Sequence, residues 1–343
     1  MAANGYDVTL LVADGLGDEE KNKVKITDLG KPKSRINRVL FWRKKVFNKA
    51  LSINAEIYHF HDPELLPIGR KLINKGKKVI YDVHEDVPRQ ILTKPYIPKI
   101  LRHIVSKTFE NYENRITPKL SAIVAATPFI RDRFSRFNNN VIDVQNFPLL
   151  SEFNLAEING EIQKKNAVCY MGGISKVRGI LTMVKAMNYA SGAELLLAGN
   201  FESEELRNEA IQIKGWEMVC ELGFLGRAQV TETLAQSMAG LVVLEPTLNY
   251  LDSIPVKMFE YMAAGIPVIA SDFKYWRELI GMEECAVFVN PKDPKEIGRA
   301  INDLVNDKSK SFQMGQRGKN AVAKKFNWKI EENKMLALYK KMS

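Results

Sequence analysis

Short apolar runs alternate with amphipathic stretches along the whole chain. The segments 7–13, 55–60, 78–83, 122–125, 141–144, 167–171, 194–197, 241–244 and 267–270 read as strands. Between them, 65–74, 100–116, 182–189 and 230–238 carry the spacing of helices. Near-continuous apolar strands separated by helices imply parallel sheets covered on both faces. The expected fold is therefore α/β, with doubly wound, Rossmann-like domains. A polar, weakly periodic stretch at 148–165 reads as a linker, after which a fresh strand opens into Gly172-Gly173. The expected organisation is an N-terminal domain over 1–150, a second over 151–325, and a C-terminal helix over 326–343 that packs back on the first. The opening residues read as the tail of a helix, a Gly5 cap and then a second strand, so the first βα unit of a doubly wound domain is missing from the pattern.

Composition narrows the class. A length of 343 residues suits two domains, and 45% hydrophobic with 26% charged residues is ordinary for a folded soluble protein. No apolar run approaches the roughly 18 residues that span a bilayer, and the N-terminus lacks the layout of a secretory signal. Cys169, Cys220 and Cys285 are isolated and not at metal-ligand spacing, which fits reduced thiols and a cytoplasmic setting. The net charge of +10 is unevenly shared. Residues 1–150 hold 26 Lys and Arg against 16 Asp and Glu, whereas 151–343 hold 24 of each. The N-terminal half is thus suited to an anionic partner, such as a membrane surface or a phosphorylated lipid. Nucleic acid is not expected, because no aromatic-interleaved basic motif accompanies the charge.

Three strand ends carry polar clusters where ligands of open α/β sheets collect. They are His59-Phe-His61-Asp62-Pro-Glu64, His84-Glu85-Asp86 and Glu245-Pro-Thr247. His84 can hydrogen-bond a sugar hydroxyl or a developing charge, and His61 and Glu85 are candidates for an acceptor side. His59 and His61 are expected on opposite faces of their segment, with one of them at most facing a ligand. A metal-dependent hydrolase using His59, His61 and Asp62 is a rival reading, but later strand ends supply no histidine to complete it. The second domain opens with Gly172-Gly173-Ile-Ser-Lys-Val-Arg178-Gly179, a glycine turn before a helix that suits phosphate, with a guanidinium for a diphosphate. Asp252-Ser253-Ile-Pro255-Val-Lys257-Met-Phe-Glu260 leads into Ala263-Ala264-Gly265. Ser253 is a plausible N-cap, and Asp252 and Glu260 are placed to grip two ends of one extended ligand. Arg178 and Glu260 are expected to converge on a single sugar diphosphate.

In this order the pieces resemble a known family. Tyr81-Asp-Val-His84-Glu85, Val124–Thr127, Val144–Pro148, the Gly172–Gly179 loop, Leu195–Gly199, Gly223–Gly226, Lys257–Ser271 and Asn327-Trp328 together resemble the GT-B glycosyltransferases of family 4 that build bacterial surface polysaccharides. The resemblance implies two Rossmann-like domains with a cleft between them. It also implies a retaining, metal-independent transfer from a nucleotide-sugar, UDP- or GDP-linked, to a glycan or polyprenyl-diphosphate-linked acceptor. No cofactor beyond the nucleotide-sugar substrate is implied. By the same resemblance Glu260 grips the ribose, Arg178 the diphosphate, and His84 the donor sugar. Leu225-Gly226-Arg227 lies near the base, and Lys257 can add a second cation. The chain departs from the family at Asp252, where glutamate is usual, and at Gly173, where arginine is frequent. A catalytically silent relative that only binds ligand is the alternative reading.

The basic half holds one further pattern. Ile100, Leu101, Ile104 and Val105 share a helical face bordered by Lys99, Arg102, His103 and Lys107, and Leu40–Phe47 has the same mixed character. Basic amphipathic helices settle on anionic bilayers, so Lys99, Arg102 and Lys107 are candidate membrane contacts, and a peripheral position on the inner face of the cell membrane is expected.

Overall fold

The computed structural model describes residues 1–32, 34, 42–94, 97–153 and 163–343. Leu40 and Phe41 of the mixed segment, and 154–162 of the linker, lie outside the described residues. The chain divides into two units, residues 1–145 with 332–343, and residues 146–331.

The first unit holds two sheets. Strands β1 (Val8–Val12), β2 (Glu19–Lys21) and β3 (Val24–Asp28) form a three-stranded sheet, β1 parallel and β2 antiparallel to β3. Asn22 and Lys23 turn this hairpin with φ of 52° and 63°, the positive values that a two-residue turn needs. The strand expected at 7–13 is thus present but belongs to this small, partly exposed sheet. Helix α1 (Arg43–Ile53) precedes a four-stranded parallel sheet, ordered β4 (Ile57–Phe60), β5 (Lys78–Val83), β6 (Ala122–Ala125) and β7 (Val141–Asp143). Helices α2 (Leu66–Ile73), α3 (Val87–Ile91), α4 (Lys99–Ile116) and α5 (Pro128–Phe134) connect its strands. Thr127 caps α5 by accepting a bond from the Ile130 amide. Leu66, Leu72, Val79, Tyr81, Val83, Ile123 and Phe134 form the core against β5 and β6.

The second unit is one six-stranded parallel sheet. Its strands are β8 (Ala167–Met171), β9 (Glu194–Ala198), β10 (Val219–Gly223), β11 (Ala239–Val242), β12 (Val268–Ser271) and β13 (Ala286–Val289). Their order, β10-β9-β8-β11-β12-β13, reverses direction between β8 and β11, as in dinucleotide-binding sheets. Between the strands run α6 (Ile180–Met187), α7 (Glu204–Ile211), α8 (Arg227–Gln236), α9 (Leu248–Leu251), α10 (Val256–Ala263) and α11 (Lys274–Ile280). After β13 follow α12 (Pro294–Asn306), α13 (Lys308–Lys324) and α14 (Trp328–Met342). Two apolar cores cover the sheet, one around Tyr261, Trp276 and Phe259, the other around Met183, Ile180 and Leu195. Every residue of β8 is buried, which explains its unbroken apolar sequence.

Candidate functional site

The switch point carries the glycine turn. The chain leaves β8 through Gly172 and Gly173, makes a single tight turn at Lys176–Arg178 and enters α6 after Gly179. The Glu245 amide donates to the Val177 carbonyl at 3.0 Å, so the turn lies against the carboxyl end of β11. Gly179 has φ of 78°, and a Cβ there would stand 2.0 Å from the Val243 carbonyl oxygen. No other residue fits that contact without moving backbone. At Gly173 the carbonyl accepts from Arg178 Nη1 at 2.9 Å and from the Tyr170 hydroxyl at 2.8 Å. A Cβ at 173 would meet Arg178 Nη1 at 2.6 Å, so the guanidinium occupies the volume that glycine leaves. Burial works against the charge of Arg178, but the Tyr250 and Tyr170 hydroxyls hold its pKa above the ordinary arginine value.

Helix α10 brings a second cation to the turn. Lys257, in its first turn, places Nζ 3.7 Å from the centre of the Tyr170 ring and 3.3 Å from the Cβ position of Gly172. This ammonium is buried and has no hydrogen-bond partner among the described residues. Burial pulls its pKa down to about 7, and the charge of Arg178 pulls the same way while Glu260 and Cys169 oppose it. Ser253 does not cap this helix. Pro255 stands at the N-cap, and the Ser253 hydroxyl donates to the Tyr250 carbonyl at 3.2 Å, because α9 ends there and holds it. Asp252 closes α9 as an exposed residue.

Glu260 is held from across the cavity floor. Arg227, the first residue of α8, donates to Glu260 Oε1 at 3.1 Å and also pairs with Glu152. Gly226 donates its amide to Gln229 Oε1 at 2.9 Å, and Leu225 packs against the core beneath. Asn146, Phe147, Pro148, Leu149, Glu152, Arg227, Val256, Glu260 and Trp328 line a cavity of 240 Å³. A second cavity, of 320 Å³, is lined by Gly173, Ile174, Ser175, Arg178, Asn200, Glu202 and Tyr250. Arg178 and Glu260 therefore do not converge on one cavity as expected. The cause is their anchors, since the Gly173 carbonyl holds Arg178 and Arg227 draws Glu260 away. Lys257 lies close enough to both to feel their charge.

In the first unit, β4 and β5 deliver three imidazoles to one carboxylate. His59 Nε2 and His61 Nδ1 each stand 3.2 Å from Asp82 Oδ2, and His84 Nε2 stands 3.5 Å from Oδ1. His59 and His61 thus share a face, contrary to expectation, because residues two apart in a strand point the same way. His61 Nδ1 also faces His84 Nε2 at 3.0 Å, and the Tyr339 hydroxyl meets His59 Nδ1 at 2.7 Å. Burial raises the pKa of Asp82, but hydrogen bonds from His59 and His61 outweigh it and leave the carboxyl well below its ordinary range. The same hydrogen bond to Asp82 raises the pKa of His61. Asp82 is the carboxylate of the cluster, not Asp62, and the sequence reading gives neither it nor Tyr339 a ligand role. Glu85 is exposed and accepts a bond from Gln90.

On α4, Ile100 and Ile104 are 85% and 61% exposed, and Leu101 and Val105 are exposed beside them. Lys99 and Lys107 are exposed as well, with Lys107 3.3 Å from Glu110. Arg102 departs from its expected outward role, since it donates to the carbonyls of Ile97 and Leu92 at 2.8 and 3.4 Å. No helix among the described residues is long and apolar enough to cross a membrane.

Two α/β units, one with a glycine turn of the phosphate-binding type at the switch point of its parallel sheet, define the class of fold. Family models then give the family. The model for glycosyl transferases group 1 matches residues 152–321, and that for glycosyltransferase family 4 matches residues 1–144. The chain belongs to the family 4 glycosyltransferases of GT-B fold. It is 20% identical over 296 residues to a phosphatidyl-myo-inositol mannosyltransferase of Mycobacterium tuberculosis, covering 83% of this chain and 73% of that protein. Its fold matches sucrose-phosphate synthase from Thermosynechococcus elongatus with a TM-score of 0.80 at 17% identity, covering 99% of this chain and 90% of that one. It also matches HepE of Anabaena, solved in complex with UDP-glucose, with a TM-score of 0.70 at 13% identity, covering 97% and 99%.

Proposed function

We propose that this glycosyltransferase is a retaining, metal-independent hexosyltransferase that moves a sugar from a UDP- or GDP-linked donor to a lipid-linked glycan, such as a polyprenyl-diphosphate-linked acceptor. Its setting is the assembly of bacterial surface polysaccharide, whether O-antigen, capsule or exopolysaccharide, on the inner face of the cell membrane. The observation that carries the donor assignment is the buried ammonium of Lys257, without a hydrogen-bond partner among the described residues, beside the Arg178 guanidinium at a glycine turn. Two neighbouring cations without a bound carboxylate of their own are costly unless an anion joins them. A diphosphate is an anion whose charge suits the pair. The nucleoside then extends to the cavity of Glu260, Arg227, Leu225 and Gly226, with the Glu260 carboxylate on the ribose. On this reading His84 is assigned to the donor sugar near the reacting carbon, Asp252 to a sugar hydroxyl, and His61 and Glu85 to the acceptor. The acceptor attacks from the face that the diphosphate leaves, and a donor phosphate oxygen takes its proton. The relatives support the classes of substrate, since one is crystallised with UDP-glucose and another is a mannosyltransferase acting on a phosphatidyl-inositol lipid.

Thermal shift against UDP-, GDP- and ADP-sugars tests the reading. A donor at 100 times its Kd stabilises the fold by about 2.7 kcal/mol, a shift of several degrees. Glu260→Ala is expected to abolish the shift, and Glu245→Ala to keep it. A shift that survives Glu260→Ala, or none with any donor, overturns the assignment.

A further inference from the structure

The histidine cluster of the first unit has a geometry that sugar transfer does not require. We propose that His59, His61, Asp82 and His84 form a binding site for a divalent transition-metal ion of the zinc class, outside the transfer chemistry itself. Tetrahedral zinc with nitrogen and oxygen ligands at about 2.0–2.1 Å sets neighbouring ligand atoms ~3.3 Å apart. Here Asp82 Oδ2 stands 3.2 Å from both His59 Nε2 and His61 Nδ1, and His61 Nδ1 stands 3.0 Å from His84 Nε2, which approaches the other carboxylate oxygen, Oδ1, at 3.5 Å. Ligand atoms of His59, His61 and Asp82 all lie within 4.8 Å of one another.

Protons alone satisfy this cluster poorly. His61 Nδ1 faces both an Asp82 oxygen and His84 Nε2, and one N–H can serve only one of them. If His61 donates to His84, then His84 has no hydrogen on Nε2 for Asp82. A divalent cation takes the lone pairs of all three nitrogens and the carboxylate charge at once. The surroundings suit it too. The Tyr339 hydroxyl is hydrogen-bonded to His59 Nδ1, which leaves Nε2 of that ring directed at the centre, as outer contacts of metal-bound histidines commonly do. Asp82 is buried at the base while His61 and His84 are exposed, so an ion can enter from solvent. Imidazole and carboxylate select zinc, cobalt or nickel over magnesium or calcium. An ion held there engages His84, so it inhibits transfer. That consequence, unlike the binding, rests on the role proposed for His84.

Titration calorimetry of the full chain with zinc sulfate alone is the direct test, with metal content after desalting as a second reading. One equivalent is expected, together with the visible absorption of tetrahedral cobalt when cobalt chloride replaces zinc. His61→Ala, at an exposed side chain, is expected to weaken binding by more than 100-fold. Tyr339→Phe is expected to weaken it by roughly 10-fold, the lower end for an outer contact. His103→Ala and Cys220→Ser, outside the cluster, leave it unchanged. No stoichiometric uptake by the native chain overturns the site. So does uptake that survives His61→Ala, or that disappears with Cys220→Ser. In a transfer assay zinc inhibits the native enzyme and a chelator restores it. Loss of inhibition with binding intact would sink the role of His84 and leave the metal site standing.

Discussion

Lys257 holds a charge that the fold buries without a hydrogen bond to any of the described residues. Its pKa falls from the ordinary 10.5 to about 7, so the unfolded chain binds more protons than the folded one between these values. Stability is therefore expected to rise with pH across that window, by on the order of 3 kcal/mol from this residue. Lys164, lowered to about 8, adds to the same slope, so the comparison must be with a variant. Lys257→Met is expected to remove part of the rise and to stabilise the protein near pH 7, as read from melting temperature against pH. A diphosphate bound as proposed would restore the ammonium, so donor affinity should fall above pH 7 in the native chain. The variant should bind donor at least tenfold more weakly with no such pH dependence. Equal slopes in the two proteins would show that the ammonium is not the titrating group. The residue types at this site were legible, but their pairing was not. Arg178, Lys257 and Glu260 stand out as polar residues at glycine turns and a helix start, yet Arg178 is held by a backbone carbonyl and Glu260 by Arg227, contacts that only folding creates. The His59–His61–Asp82 cluster could have been read from the two-residue alternation of strands. Phe60 pairs with Tyr81, so His61 falls beside Asp82 one step on.

Strands and turns show the same division. The run 78–83 is a strand at its predicted limits, because burial on both faces leaves its pattern nearly continuous. The strands at Glu19–Lys21 and Val219–Gly223 escape sequence reading, since their charged and exposed residues earn no apolar pattern. The hairpin of β2 and β3 rests on Asn22 and Lys23 adopting positive φ, a signal weaker than glycine. Gly179 is the opposite case, a glycine whose necessity appears only with Val243 in place. Gly179→Ala forces a side chain into left-handed backbone and against a carbonyl oxygen 2.0 Å away. We expect a loss of about 3 kcal/mol in urea unfolding, from backbone strain together with overpacking. Gly192→Ala shares the positive φ, at 72°, but meets nothing within 4 Å. It should cost about 1 kcal/mol. Similar losses in the two variants would mean that the contact with the Val243 carbonyl relaxes freely.

Charge is divided along the chain so that all of the excess falls in residues 1–150, and the same stretch exposes Ile100 and Ile104 on α4. Apolar side chains left in water next to Lys99 and Lys107 are unexplained by packing, since a helix that served the core would bury this face. An anionic bilayer would supply both needs, hydrocarbon for the isoleucines and phosphate for the ammonium groups. Each lysine near such a surface contributes about 1 kcal/mol, so Lys99→Gln with Lys107→Gln should weaken binding by about 30-fold. Arg102 is turned onto backbone carbonyls, and its loss should act on the α4 entry rather than on lipid contact. Flotation with vesicles of phosphatidylcholine alone, and with added phosphatidylglycerol, separates the two forces. The native chain should float only with the anionic lipid, and less as salt shortens the reach of charge below about 8 Å. Ile100→Ser with Ile104→Ser should abolish flotation while leaving the melting temperature within a degree or two, because neither side chain is buried. A large drop in melting temperature would instead assign these isoleucines to the fold, and flotation unaffected by the double change would move the lipid contact elsewhere in the basic half.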